Sequence, residues 1–224
     1  MGRMVEFASN GSTARGYLAE AAGGRGPGVI VIQEWWGLVD HIKQVADRFA
    51  AEGFTALAPD VYHGKSASGP DEAGRLMMAL DIQRSASDLA GAVQFLLAQP
   101  SVTSSRVAAI GFCMGGQLAL AAACKNPEIG AVADFYGIHP NVELDLAGLR
   151  APVLGIFAER DAFVTPEAAR KLEKDLVAAG KQTDFQIFPG VDHAFFNDSR
   201  PDVYDARAAQ QAWGKTLAFF RAHV

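Results

Sequence analysis

Short apolar runs alternate with helical patterns along almost the whole chain. Gly28-Val-Ile-Val-Ile-Gln33 is continuous and β-branched, which predicts a strand covered on both faces. His41–Glu52 reads as a helix, with Asp40 as its N-cap and Gly53 as its stop. Phe54–Ala58 is the next strand, closed by Pro59-Asp60, and a Gly/Ser/Pro-rich loop runs from Tyr62 to Asp71. Helical stretches follow over Glu72–Leu80 and Ser85–Ala98. Arg106–Gly111 is a strand that runs straight into a helix over Met114–Lys125. Gly130–Tyr136, Pro152–Phe157 and Thr183–Phe188 complete the core strands. Helices are predicted over Pro166–Ala179 and Val203–Ala222, the first with proline in its opening turn and Gly180 after its end. Val5-Glu-Phe-Ala and Arg15-Gly-Tyr-Leu-Ala suggest an antiparallel edge hairpin.

Strand–helix alternation of this kind predicts an α/β protein, a mostly parallel twisted sheet with helices on both faces. Its reacting groups are then expected at the carboxyl ends of the strands. The chain has 224 residues, with no repeat and no linker to divide it, so 1–224 is expected to be one domain.

Composition narrows the function by exclusion. A formal charge of −5 and the lack of any basic run argue against a nucleic-acid or anionic-membrane partner. No apolar stretch reaches the ~18 residues that a membrane span needs, and Met-Gly-Arg-Met-Val-Glu-Phe has no signal-peptide core. Cys113 and Cys124 fall on one predicted helix, ~16 Å apart at 1.5 Å per residue. A disulfide needs Cα atoms within about 7 Å, so both are expected as free thiols. Free thiols suit a reducing compartment, and the expected address is the cytoplasm.

The candidate chemistry sits at three strand ends. Gly111-Phe-Cys113-Met-Gly115, followed by Gly116, occupies the sharp strand-to-helix turn of a G-x-nucleophile-x-G elbow, with cysteine as the nucleophile. The helix that follows presents free N–H groups and a positive dipole end, which favour a thiolate and an anionic intermediate. Asp161 lies just past the strand ending at Phe157, and His193 just past the strand ending at Phe188. Nucleophile, acid, histidine is the chain order expected for this elbow. His193 would take the thiol proton while Asp161 fixes its tautomer. Asp134, at the end of its own strand, is a competing acid; Asp192 and Glu159 are weaker ones. Gln33-Glu34-Trp35-Trp36-Gly37 follows the third strand, where a backbone N–H could join that of Met114 in an oxyanion hole. Glu34 is either in a structural salt bridge or aimed at Cys113. Trp35, Trp36, Phe163, Phe195 and Phe196 suggest an apolar, aromatic acyl site, and Tyr62 with His63 is placed to line it.

Gln33-Glu-Trp-Trp-Gly, Gly-Phe-Cys113-Met-Gly-Gly, Glu-Arg-Asp161 and Val-Asp-His193-Ala-Phe together resemble the dienelactone hydrolase (carboxymethylenebutenolidase) family of the α/β-hydrolase fold. The likeness runs in order through the tail Asn197–Tyr204. It implies an ester or lactone hydrolase with a Cys113, Asp161, His193 triad and no cofactor or metal. It also implies that Glu34 holds the resting thiol and that the Trp35 and Met114 amides form the oxyanion hole. The resemblance further implies a small-molecule partner, and the chain is expected as a monomer or weak homodimer. One departure stands out. Family members that bind chloroaromatic-pathway lactones grip the substrate carboxylate with two arginines, and one of those positions is Asn197 here. Arg75 is the basic candidate for the other, and Arg200 a substitute for the missing one. A non-catalytic ligand-binding or redox-sensing protein on the same fold is the alternative, with the complete Asp161–His193 pair against it.

Other apparent motifs carry no chemistry. Gly64-Lys-Ser lacks the glycine five residues earlier that a phosphate loop requires, since that residue is Pro59. Gly23–Gly28 precedes its strand instead of following it, and the remaining histidines show no metal-ligand spacing.

Overall fold

The computed structural model describes residues 2–9 and 11–224. Eight strands form one sheet: β1 (Arg3–Ser9), β2 (Ser12–Ala19), β3 (Gly26–Ile32), β4 (Thr55–Pro59), β5 (Val102–Phe112), β6 (Ile129–Phe135), β7 (Val153–Ala158) and β8 (Thr183–Phe188). Their spatial order is β1-β2-β4-β3-β5-β6-β7-β8. The β1–β2 and β2–β4 pairs are antiparallel and all the others parallel, so the expected hairpin does form one edge.

Period-two alternation divides the core. Val29 and Val31 of β3 and Ala108, Ile110 and Phe112 of β5 face one apolar layer. Ile30 and Ile32 of β3 and Val107 and Ala109 of β5 face the other. The first layer is closed by α1 (Asp40–Ala51) and α6 (Ala206–His223), through residues such as Val45, Phe49 and Phe220. The second is closed mainly by α3 (Ile82–Leu97) and α4 (Met114–Lys125), through Leu89, Val93, Leu96 and Leu118. The remaining helices are α2 (Pro70–Met78) and α5 (Pro166–Ala178).

Capping chemistry moved several expected boundaries. Asp40 does not cap α1; it is the first helical residue, Val39 holds the cap position, and Asp40 pairs with Lys43 at 3.1 Å. The Asp81 carboxylate accepts from the Arg84 N–H at 3.0 Å, so α3 begins at Ile82, before the expected Ser85. Asp205 likewise caps α6 through the Ala208 N–H at 2.8 Å, and the expected start at Val203 falls in a turn instead.

The topology locates the site. After β3 the chain pairs β4 on one side, then crosses to place β5 on the other. The loops that leave β3 and β5 therefore diverge and open a crevice at the carboxyl end of the sheet. Glu34 and Cys113 sit on those two loops.

Candidate active site

Cys113 occupies the turn between β5 and α4 with φ 52° and ψ −122°, a region that non-glycine residues rarely adopt. Hydrogen bonds on both sides hold it there. Its N–H donates to the Phe135 carbonyl at 3.0 Å, and its own carbonyl accepts from Gly116 at 3.0 Å and Ile138 at 3.2 Å. The flanking glycines are steric necessities. A Cβ on Gly111 would overlap the Gly115 carbonyl, and one on Gly115 would lie 2.5 Å from the carbonyl oxygens of Ile32 and Gln33. Local packing thus explains why the elbow reads G-x-C-x-G.

His193 projects from the loop after β8. Its Nδ1 lies 2.6 Å from Asp161 Oδ2. The other oxygen of that buried carboxylate accepts backbone N–H bonds from Phe163 at 2.7 Å and Val164 at 2.8 Å, which fixes its orientation. Burial alone would lower the imidazole's proton affinity. Hydrogen bonds to Asp161 and Cys113 and the charges of both overcome that, raising the His193 pKa to about 10. Both partners thereby favour the imidazolium that forms once the thiol proton reaches the ring.

Among the described residues, none of the competing acids pairs with His193. Asp134 is fully buried beneath the elbow, pressed between Gly116 and Gly137, and burial pushes its carboxyl up to about 7. Asp192 pairs with Arg160 at 2.8 Å, and Glu159 accepts the Gly190 N–H at 2.7 Å.

Cys113, His193 and Glu34 line one cavity of about 440 Å³, together with Trp35, Trp36, Phe163 and Arg200. Pro70, Met77, Ile138 and Ala194, which the sequence reading did not single out, complete it. Glu34 is 1 % exposed, and its Oε2 accepts from Asn197 Nδ2 at 2.7 Å. Among the described residues no lysine or arginine forms an ion pair with it, so the salt-bridge alternative does not hold. Burial raises the Glu34 carboxyl above the usual range, against the opposing pull of His41, the Asn197 amide, His193 and Arg200. Asn197 is itself oriented by Ser199, whose N–H and hydroxyl both donate to its Oδ1.

Four of the expected substrate contacts stand apart from this cavity lining. Arg75 is exposed on α2, whereas Met77 of the same helix faces the cavity. Two positions turn a helix by ~200°, so one helix cannot aim both residues inward. Tyr62 is buried with its hydroxyl donating to Met114 Sδ at 3.2 Å, which places it under the elbow. Phe195 is core, packed against Tyr136 and Phe188. Asn197 supports Glu34 from behind. Arg200 does reach the cavity, with its guanidinium paired to Asp202 at 2.7 Å.

Sequence reasoning also missed Tyr136. It is fully buried at φ 43°, with its ring centroid 4.9 Å from that of His193. Its position directly after β6, where β5 places the elbow, was the available signal.

The sequence model of the dienelactone hydrolase family matches residues 14–224. The chain belongs to the dienelactone hydrolase family. It is 42% identical over 233 residues to "Protein usf" of Aquifex pyrophilus, and 37% identical over 231 residues to a protein of Aquifex aeolicus named "Putative carboxymethylenebutenolidase". Both alignments cover 100% of each chain. Among solved structures, a dienelactone hydrolase-like promiscuous phosphotriesterase from metagenomic libraries superposes with a TM-score of 0.89 at 26% identity. That superposition covers 100% of this chain and 98% of the other. This dienelactone hydrolase family member thus has the α/β-hydrolase fold that the resemblance implied. Among its described residues, no helix is long and apolar enough to cross a membrane.

Proposed function

We propose that the protein hydrolyses a carboxylic ester or lactone through an acyl-enzyme on Cys113, in the manner of a carboxymethylenebutenolidase. The observation that carries this reading is His193, held by Asp161 at 2.6 Å and lining the same cavity as Cys113. With Nδ1 committed to Asp161, Nε2 is the nitrogen left for the thiol.

In acylation, the Cys113 proton passes to His193 and the sulfur attacks the carbonyl carbon. The carbonyl electron pair moves to oxygen, which is held by the Trp35 and Met114 amides. Met114 is the first residue of α4, so its N–H has no partner within the helix. The intermediate collapses, the bond to the leaving oxygen breaks, and His193 protonates that oxygen. In deacylation, water gives a proton to His193 and attacks the thioester. The thiol leaves, recovers its proton, and the carboxylic acid departs. Glu34, with its raised proton affinity, serves as the resting partner of the thiol and as an alternative acceptor of its proton.

The two unpaired cysteines favour a reducing compartment, and we assign the protein to the cytoplasm. The direct test is Cys113→Ala on p-nitrophenyl acetate. The variant is expected to stay folded and lose turnover; an unchanged rate rejects the proposal.

A further inference from the structure

The cavity over Cys113 is polarised in composition. Outside the reacting groups its walls are dominated by Trp36, Pro70, Met77, Ile138 and Phe163. Apart from His193, Arg200 is the only basic residue among the described residues that lines it. We infer that its substrate is an uncharged ester or lactone bearing an aromatic or similarly flat apolar group, not one bearing a free carboxylate. This rests on the hydrolase reading and specifies the substrate class.

Three observations argue against a carboxylate. Arg200 is already paired with Asp202 at 2.7 Å, so a substrate anion would have to compete for it. Glu34 lines the same space and would repel an anion whenever it is ionised. On α2 the residue that lines the cavity is the uncharged Met77, while Arg75 is exposed. A carboxylate bound here would lose its water and gain no free cation, which is costly in an apolar site.

Aromatic geometry argues for a flat apolar group. Trp36 meets Trp35 at 5.2 Å between centroids, Trp35 meets Phe163 at 6.5 Å, and Phe163 meets His193 at 5.2 Å. These rings make a continuous wall that leads to the imidazole. Phe163 is 63% exposed, the largest exposure among the large apolar side chains in question, so an incoming ring would bury both surfaces. Met77 borders the same cavity, and its flexible thioether adapts well to an aromatic partner.

The test compares two esters that share a leaving group, 4-nitrophenyl 4-methylbenzoate and 4-nitrophenyl 4-carboxybenzoate, on the full chain. The para position keeps the carboxylate from assisting its own hydrolysis. The neutral ester is expected to have kcat/KM roughly 10- to 100-fold higher. Met77→Arg should shift that ratio toward the carboxylated ester by roughly tenfold. Equal or faster cleavage of the carboxylated ester by the wild type overturns the inference and leaves the hydrolase reading standing. No Cys113-dependent cleavage of either ester overturns both.

Discussion

Asn197 donates its side-chain N–H to Glu34 Oε2 across 2.7 Å, joining residues 163 positions apart. In the family resemblance Asn197 stands where an arginine would grip substrate. Here it supports a carboxyl that lines the same cavity as Cys113. An amide donor gives Glu34 a partner without a full positive charge, and burial then outweighs the groups that would keep the carboxyl ionised.

Glu34→Gln should lower turnover by about tenfold or more while stability is unchanged or increased, because it removes a buried carboxyl and keeps the shape. The native pKa is raised, so the folded state binds the proton more tightly and stability falls as pH rises above the unfolded value. The gain in the glutamine variant should therefore grow with pH. Urea unfolding at pH 5 and pH 8 measures this, and a severe loss of stability at both would show a structural role instead.

The His193 pKa, raised to about 10, has a consequence of the same sign at higher pH. Stabilisation by the imidazolium is complete below the unfolded value of about 6.5 and is lost as pH rises through about 10. Activity should hold through the neutral range and fall near that upper limit, where the ring can no longer protonate the leaving oxygen. Asp161→Asn should cut kcat by roughly 10²- to 10⁴-fold and move the alkaline limb downward. A pH–rate profile of both proteins checks the two effects together.

The two thiols should separate cleanly on alkylation. Burial, aided by Asp145, pushes Cys124 up to about 11, so it is almost entirely protonated at neutral pH. Cys113 opens on the cavity beside a histidine whose proton affinity is raised. Iodoacetamide should modify Cys113 about 100-fold faster or more, as read by peptide mass spectrometry. Equal rates would contradict this.

Asp134 gives a stability test that does not depend on activity. Its carboxyl is fully buried and titrates at about 7, above the unfolded value of about 3.9. Stability contributed by its neutral form should fall between those values as pH rises. Asp134→Asn should thus be more stable than wild type at pH 8 by roughly 1–4 kcal/mol, with a smaller difference at pH 4. Denaturant titrations at the two pH values decide the point.

The sheet and its helices were legible because their signals are local. The β-branched run at Val29–Ile32 and the elbow glycines each state a backbone requirement within a few residues. The order of Cys113, Asp161 and His193 could be read as well, since each follows a strand and parallel strands deliver their carboxyl ends to one edge. Helix starts were less legible: Asp40, Asp81 and Asp205 look alike in sequence, and only the last two turn their carboxylates onto a helix N–H.

By itself, the sequence determined the alternating architecture and the tight turn at Cys113, because alternation, turn sterics and strand endings are properties of neighbouring residues. Only the tertiary structure decided which acid meets His193, that Asn197 serves Glu34, and that Met77 rather than Arg75 faces the cavity. Those choices depend on how distant loops converge and on the rotation of a helix about its axis. Two residues apart on α2, a cation and a thioether part company by about half a turn.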